Sequence, residues 1–186
     1  MRILILVVAV MFAGNCASTA EESETAAHAV AQVMISVLTP TDRGRPGYAW
    51  AAVEARIAPR VRWHGEAFPP EVLDGTGLQR NGWLQAGGWQ FDVTIQGSFQ
   101  EVRRVSVDVN DAVETEALLA EFRAAGADVS FSGDDETAMF YYVALPGRDT
   151  AQLEARRTCT PYGSRAARHC RTIMTWNFEP ELSGRL

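Results

Sequence analysis

From Trp89 onward the apolar residues recur at every second position, and that period constrains the chain more than any other feature. Trp89, Phe91, Val93 and Ile95 alternate with Gln90, Asp92, Thr94 and Gln96. Successive side chains of a strand point to opposite faces, so this reads as a half-buried β-strand. Gly97-Ser98 offers a tight turn. Val105, Val107 and Val109 then repeat the period on a second strand. Asp111 and Glu114 resemble a capping box, and Ala112 to Ala125 follows as a helix with Leu118, Leu119 and Phe122 turned inward. Gly126 is placed to cap its C-terminus.

Val129 and Phe131 open a further strand, and Ser132 to Asp135 turn it. Thr137 to Leu145 (TAMFYYVAL) is apolar at nearly every position, which predicts a strand covered on both faces. Residues 151–160 and 169–178 are expected to pair as a hairpin, with Met174, Trp176 and Phe178 on its apolar face. In that register Cys159 lies opposite Cys170, and a disulfide between them would staple the hairpin.

Ahead of these strands the period is that of a helix. In 22–38, Ala26, Val30, Val33, Met34, Val37 and Leu38 fall on one face. Residues 48–57 form a second, narrower helix with Trp50, Val53 and Ile57 on one side. Residues 60–87 show only a short alternation at Val61 and Trp63 and a turn signal at Asp74 to Gly77, so an irregular excursion is expected there. The order predicts an α+β domain over residues 21–186: N-terminal helices, then a mainly antiparallel sheet with one intervening helix and a C-terminal disulfide-stapled hairpin. Residues 179–186 read as a loose tail.

Residues 1–20 read as a secretory signal peptide. Arg2 precedes an unbroken apolar run, Ile3 to Phe12, and then small and polar residues up to Ala20. The run is short for a membrane span, which needs about 20 residues. Cleavage after Ala20 would leave Glu21 first. The alternative is lipid attachment at Cys16, against which Asn15 stands where a lipobox has a small residue. Either route leads out of the cytoplasm, to a periplasmic, secreted or membrane-anchored protein. Cys159 and Cys170 then remain as an even pair in an oxidising compartment.

All 17 basic residues are Arg. A chain-wide absence of Lys points to coding bias, so only clustering of Arg carries an argument. The formal charge of -6 opposes general nucleic-acid binding. The charge is uneven, however. Residues 148–171 hold six Arg and His169 against Asp149 and Glu154, a net +4, whereas residues 101–147 carry ten acids against three Arg, a net -7. A basic hairpin carrying Arg157, Arg165, Arg168 and Arg171 is therefore the candidate binding site, for an acidic protein or a small anion. The opposing expectation is that these Arg pair internally with the protein's own acidic helix.

Other chemistry is sparse. His64 and Glu66 are two apart and share a face on a strand, which could begin a metal site or an acid–base pair, but spacing identifies no third ligand. His28 stands four residues after Glu24 on the first helix. Asp134, Asp135 and Glu136 form an acidic run whose residues also suit a turn. No nucleophile elbow, phosphate loop, dinucleotide fingerprint or zinc-protease motif occurs. No catalytic residue, metal or cofactor is assigned. The sequence favours an exported, non-catalytic binding domain, with a small hydrolase or metal-dependent enzyme as the second class.

Overall fold

The computed structural model of the chain describes residues 26–38, 48–65, 71–73, 77–98, 100–148, 150–161 and 168–177. The expected leader with Cys16, the acidic residues 21–24 and the tail 179–186 lie outside these residues. Helix α1 covers 26–37, and the stripe Ala26, Val30, Val33, Met34, Val37 is buried as its spacing predicts. Helix α2 is Trp50–Ile57, burying Trp50, Val53 and Ile57. The rest is β1 (Val61–Trp63), β2 (Glu71–Leu73), β3 (Gly77–Ala86), β4 (Trp89–Gly97), β5 (Val102–Asp108), α3 (Thr115–Ala124), β6 (Asp128–Asp134), β7 (Ala138–Ala144), β8 (Thr150–Pro161) and β9 (Arg168–Asn177). Every strand pairing is antiparallel. The chain is α+β, with the Cys159–Cys170 disulfide on the β8–β9 hairpin. No helix among the described residues is long and apolar enough to cross a membrane.

The described residues of 60–87 are not an irregular excursion. They hold β1, β2 and the ten-residue β3. The covered positions of β3 are Leu78, Arg80, Gly82 and Leu84, so an arginine and a glycine interrupt the apolar alternation. Gly82 is required by close approach. A Cβ there would stand 2.7 Å from both the Trp63 ring and the Arg62 carbonyl oxygen. Gly87 and Gly88, both at positive φ, make the two-residue turn into β4.

The start of α3 and the faces of β7 also differ from what the sequence predicts. Helix α3 starts at Thr115, after Glu114, which makes no side-chain cap. Asp111 does not cap it: it sits at φ 59 and its carboxylate accepts a hydrogen bond from Thr172 Oγ1 at 2.8 Å. The C-terminal expectation holds. Gly126 (φ +85) donates to Arg123 O and Ala127 to Phe122 O, the paired bonds of a Schellman cap. Strand β7 is not covered on both faces: Tyr141 and Val143 are buried, Phe140 and Tyr142 are half-buried, and Met139 is exposed.

The strand order is β1-β3-β4-β5-β9-β8-β7-β6, with β2 extending the β3 edge. That order reads alike from both ends. Each half is a helix, a three-residue turn and a four-stranded meander, and the halves meet where β5 pairs with β9. The registers relate them by a local two-fold centred on the Ser106–Thr175 pair. Under it Thr94 corresponds to Glu154, Gly82 to Tyr141, Arg80 to Met139 and Trp63 to Phe131.

The helices share one face of the sheet. Trp176 on β9 stacks on Phe122 of α3, centroids 5.1 Å apart, and its Nε1 donates to Met34 O of α1 at 2.7 Å. Glu54 of α2 reaches Arg80 on β3. Phe91, Val93, Ile95, Val105, Val107, Leu153 and Met174 complete this core. The opposite face is a polar floor: Asn81 Oδ1 accepts from Gln79 and Thr94, Gln96 donates to Gln79, and Ser106 bonds Thr175.

Candidate functional site

The expected basic site sits at the end of the β8–β9 hairpin, and its described arginines are engaged. Arg157 Nη2 lies 3.5 Å from Asp111, and Arg171 Nη1 lies 3.4 Å from Asp108. Arg148 donates to Ile35 O and Leu38 O at 3.0 Å, which satisfies carbonyls at the end of α1. Arg156 bonds Glu154 at 2.7 Å and faces Asp135 at 3.6 Å. The internal partners of Arg157 and Arg171 belong to the end of β5 and the turn before α3, not to the acidic helix itself. Arg165 lies outside the described residues. Arg168 lies on β9, where only its backbone is described.

His28 is not described with Glu24, which lies outside the described residues. Its Nδ1 meets Glu121 Oε2 of α3 at 2.8 Å, tying α1 to α3 at the surface. His64 is exposed just beyond β1, where its amide donates to Asn81 O. Its suggested partner Glu66 lies outside the described residues. The acidic run 134–136 is a turn held by one side chain. Asp135 Oδ1 accepts from the Thr137 and Ala138 amides at 2.7 and 2.8 Å, and those bonds, the first above all, hold its carboxyl below the usual carboxylate range. Among the described residues no group of three or more His, Cys, Asp or Glu gathers to hold a metal.

Two arrangements were not anticipated from the sequence. The first is an ion pair inside the core: Arg80, 6% exposed, holds Glu54 at 2.9 Å and lies over the Trp63 ring, 5.2 Å from its centroid. Burial pushes the Glu54 carboxyl above the usual range, and Arg80 pulls it partway back.

The second lies at the two-fold equivalent of that place. Phe131 and Met139 are 59% and 40% exposed on the helix-bearing side of the sheet. Phe131 meets Tyr141 edge-on at 5.6 Å, and the Tyr141 hydroxyl donates to Met139 Sδ at 3.5 Å. Burial, and then Glu116, push the Tyr141 phenol up, against a smaller opposing influence of Arg123. In the first half the corresponding Arg80 pairs with Glu54 of α2 and lies over Trp63; in the second Phe131 and Met139 stay exposed. The sequence marks these positions as strands, Val129 and Phe131 by alternation and Met139 and Tyr141 within the apolar run 137–145, and neither pattern tells whether a helix reaches them.

Compared with family models, curated protein sequences and solved structures, the chain gives no match in any of the three.

Proposed function

We propose that this chain is an exported, non-catalytic binding domain that recognises a partner protein through the Phe131–Met139–Tyr141 corner. The observation that carries the reading is that corner itself: two large apolar side chains, held by a third, left in solvent on a core-facing side of the sheet. Scattered apolar residues are normal at a surface, but a contiguous cluster with an acidic rim has the make-up of an interface. Export is supported by the leader pattern of residues 1–20 and by the Cys159–Cys170 disulfide, since such bonds persist in oxidising compartments. Binding of an anion at the hairpin would rest on Arg165 and Arg168, because Arg157 and Arg171 already face Asp111 and Asp108.

A photo-reactive phenylalanine analogue at position 131 tests the reading in cells. The control is the same analogue at Trp89, also exposed (46%) but at the β3–β4 turn. Position 131 should yield one discrete protein adduct and position 89 none. No adduct at 131, or the same adduct from both, would remove the corner as the binding surface.

A further inference from the structure

We propose that β6 accepts one more antiparallel or parallel strand from its partner, and that this strand is a basic, extended segment. The inference rests on the reading that the Phe131 corner is the binding surface. Strand β6 ends the sheet and, among the described strands, pairs with β7 alone. Its other side therefore presents backbone N–H and C=O groups that no described strand uses, the template for strand addition. Folded proteins usually blunt such edges with charged side chains, Pro, a β-bulge or a very short strand. Asp128–Asp134 is seven residues long, has no Pro, and carries its charges only at its two ends, Asp128 and Asp134. Its bulge falls late, between Phe131 and Gly133, so the first four residues stay regular. Val129 and Phe131 face the apolar corner there, where an added strand would lay its own alternate side chains over Phe131 and Met139.

Charge selects the occupant. Every ionisable residue on β6 and its following turn is an acid: Asp128, Asp134, Asp135 and Glu136. On the α3 side Glu116, 75% exposed, stands 3.9 Å from Arg123, so that pair adds no net charge and the acids of β6 and its turn set the sign. The neighbouring cations are engaged, Arg123 with Glu116 and Arg156 with Glu154 and Asp135. A second copy of this chain fits badly. Antiparallel β6–β6 pairing centred on Phe131 would set Asp128 of each copy against Asp134 of the other, and parallel pairing would stack like on like; like charges directly opposite destabilise a sheet. A segment alternating Lys or Arg with apolar residues answers both the rim and the corner.

The probes are blocked eight-residue peptides: alternating Lys and Val, alternating Glu and Val, and the Lys–Val peptide N-methylated at every second amide. Amide NMR of the full chain should show the Lys–Val peptide shifting residues 128–134 and slowing their hydrogen exchange. The Glu–Val peptide should leave them unmoved, and added salt should weaken the Lys–Val peptide. N-methylation should cost about tenfold or more in affinity, since it removes backbone hydrogen bonds. The double variant Asp128→Arg with Asp134→Arg, at exposed positions, should exchange the preference and bind Glu–Val. Equal binding of the N-methylated peptide would overturn strand addition. So would shifts confined to other strands, or concentration-dependent dimerisation through β6. A discrete crosslink at position 131 beside any of those results would leave the binding corner standing and remove only the added strand.

Discussion

Arg80 shows how little a single residue announces its place. It follows Gln79 and precedes Asn81 in a stretch that reads as polar loop, yet its guanidinium lies in the core between Glu54 and the Trp63 ring. A buried pair costs more to break than to omit, because the survivor is left charged without water. Arg80→Met should therefore destabilise the fold by about 3 kcal/mol at neutral pH. The cost should depend on pH in one direction. Burial raises the folded Glu54 carboxyl above its ordinary 4.5, so its contribution is whole below that value and is lost as pH rises through the folded one. Removing Arg80 takes away the influence that lowers it, so the penalty should grow between about pH 5 and pH 7. Urea unfolding of both proteins at the two pH values measures this. A penalty independent of pH would mean that Glu54 is not the group that Arg80 stabilises.

At the scale of elements, hairpin β8–β9 was the most legible part of the chain and carries the clearest test. Its register sets Cys159 against Cys170, and β9 lies between β5 and β8 in the middle of the sheet. Sequence separation of 11 closes a short loop, for which the chain-entropy account gives about 3 kcal/mol. Protein taken from cells directly into an alkylating agent should show no free thiol at either position, and reduction should lower the melting temperature. Two labelled thiols would refute the bond and remove one of the two supports for the proposed export. The helices α1, α2 and α3 and strands β4, β5 and β9 were legible because one apolar stripe or one alternation ran unbroken through each. β3 was hidden because Arg80 and Gly82 stand where two apolar residues would have completed the pattern. β7 misled in the opposite sense: Phe140 and Tyr142 make the strand look covered twice, although they lie on the half-exposed polar face. Composition reports what a side chain could bury, and only the neighbouring strands and helices decide what it does bury.

At the scale of the whole molecule, the two-fold relation between the halves is carried by register alone. β3 reads GLQRNGWLQA and its counterpart β7 reads AMFYYVA, so no repeat was visible in the sequence. The seam between the halves joins five residue pairs, Arg104 to Asp108 with Ile173 to Asn177, and one further backbone bond, Val109 N–H to Thr172 O at 2.8 Å. Backbone bonds along so short a ladder would leave two loosely hinged units, yet the seam is also where the helices converge. Trp176 pairs with Val105 across it, stacks on Phe122 from the second half, and donates to Met34 O from the N-terminal helix. One fully buried side chain thus touches α1, α3 and both halves of the sheet. Trp176→Ala should cost about 3–5 kcal/mol. At this chain length that corresponds to a fall in Tm of roughly 10 °C. The same contact should also make unfolding a single event. In the wild type tryptophan fluorescence reports on both halves, since Trp50, Trp63, Trp83 and Trp89 belong to the first and Trp176 to the second, and in Trp176→Ala it reports on the first alone; amide exchange in β7 and β8 reports on the second alone. In the wild-type chain the exchange free energy of those amides should equal that of global unfolding followed by fluorescence. In Trp176→Ala the two should separate, with the second half opening first, because α3 and β9 lose their common anchor while α2 keeps Glu54 on Arg80. Separate transitions already present in the wild type would show that the halves fold independently and that Trp176 stabilises its own half only.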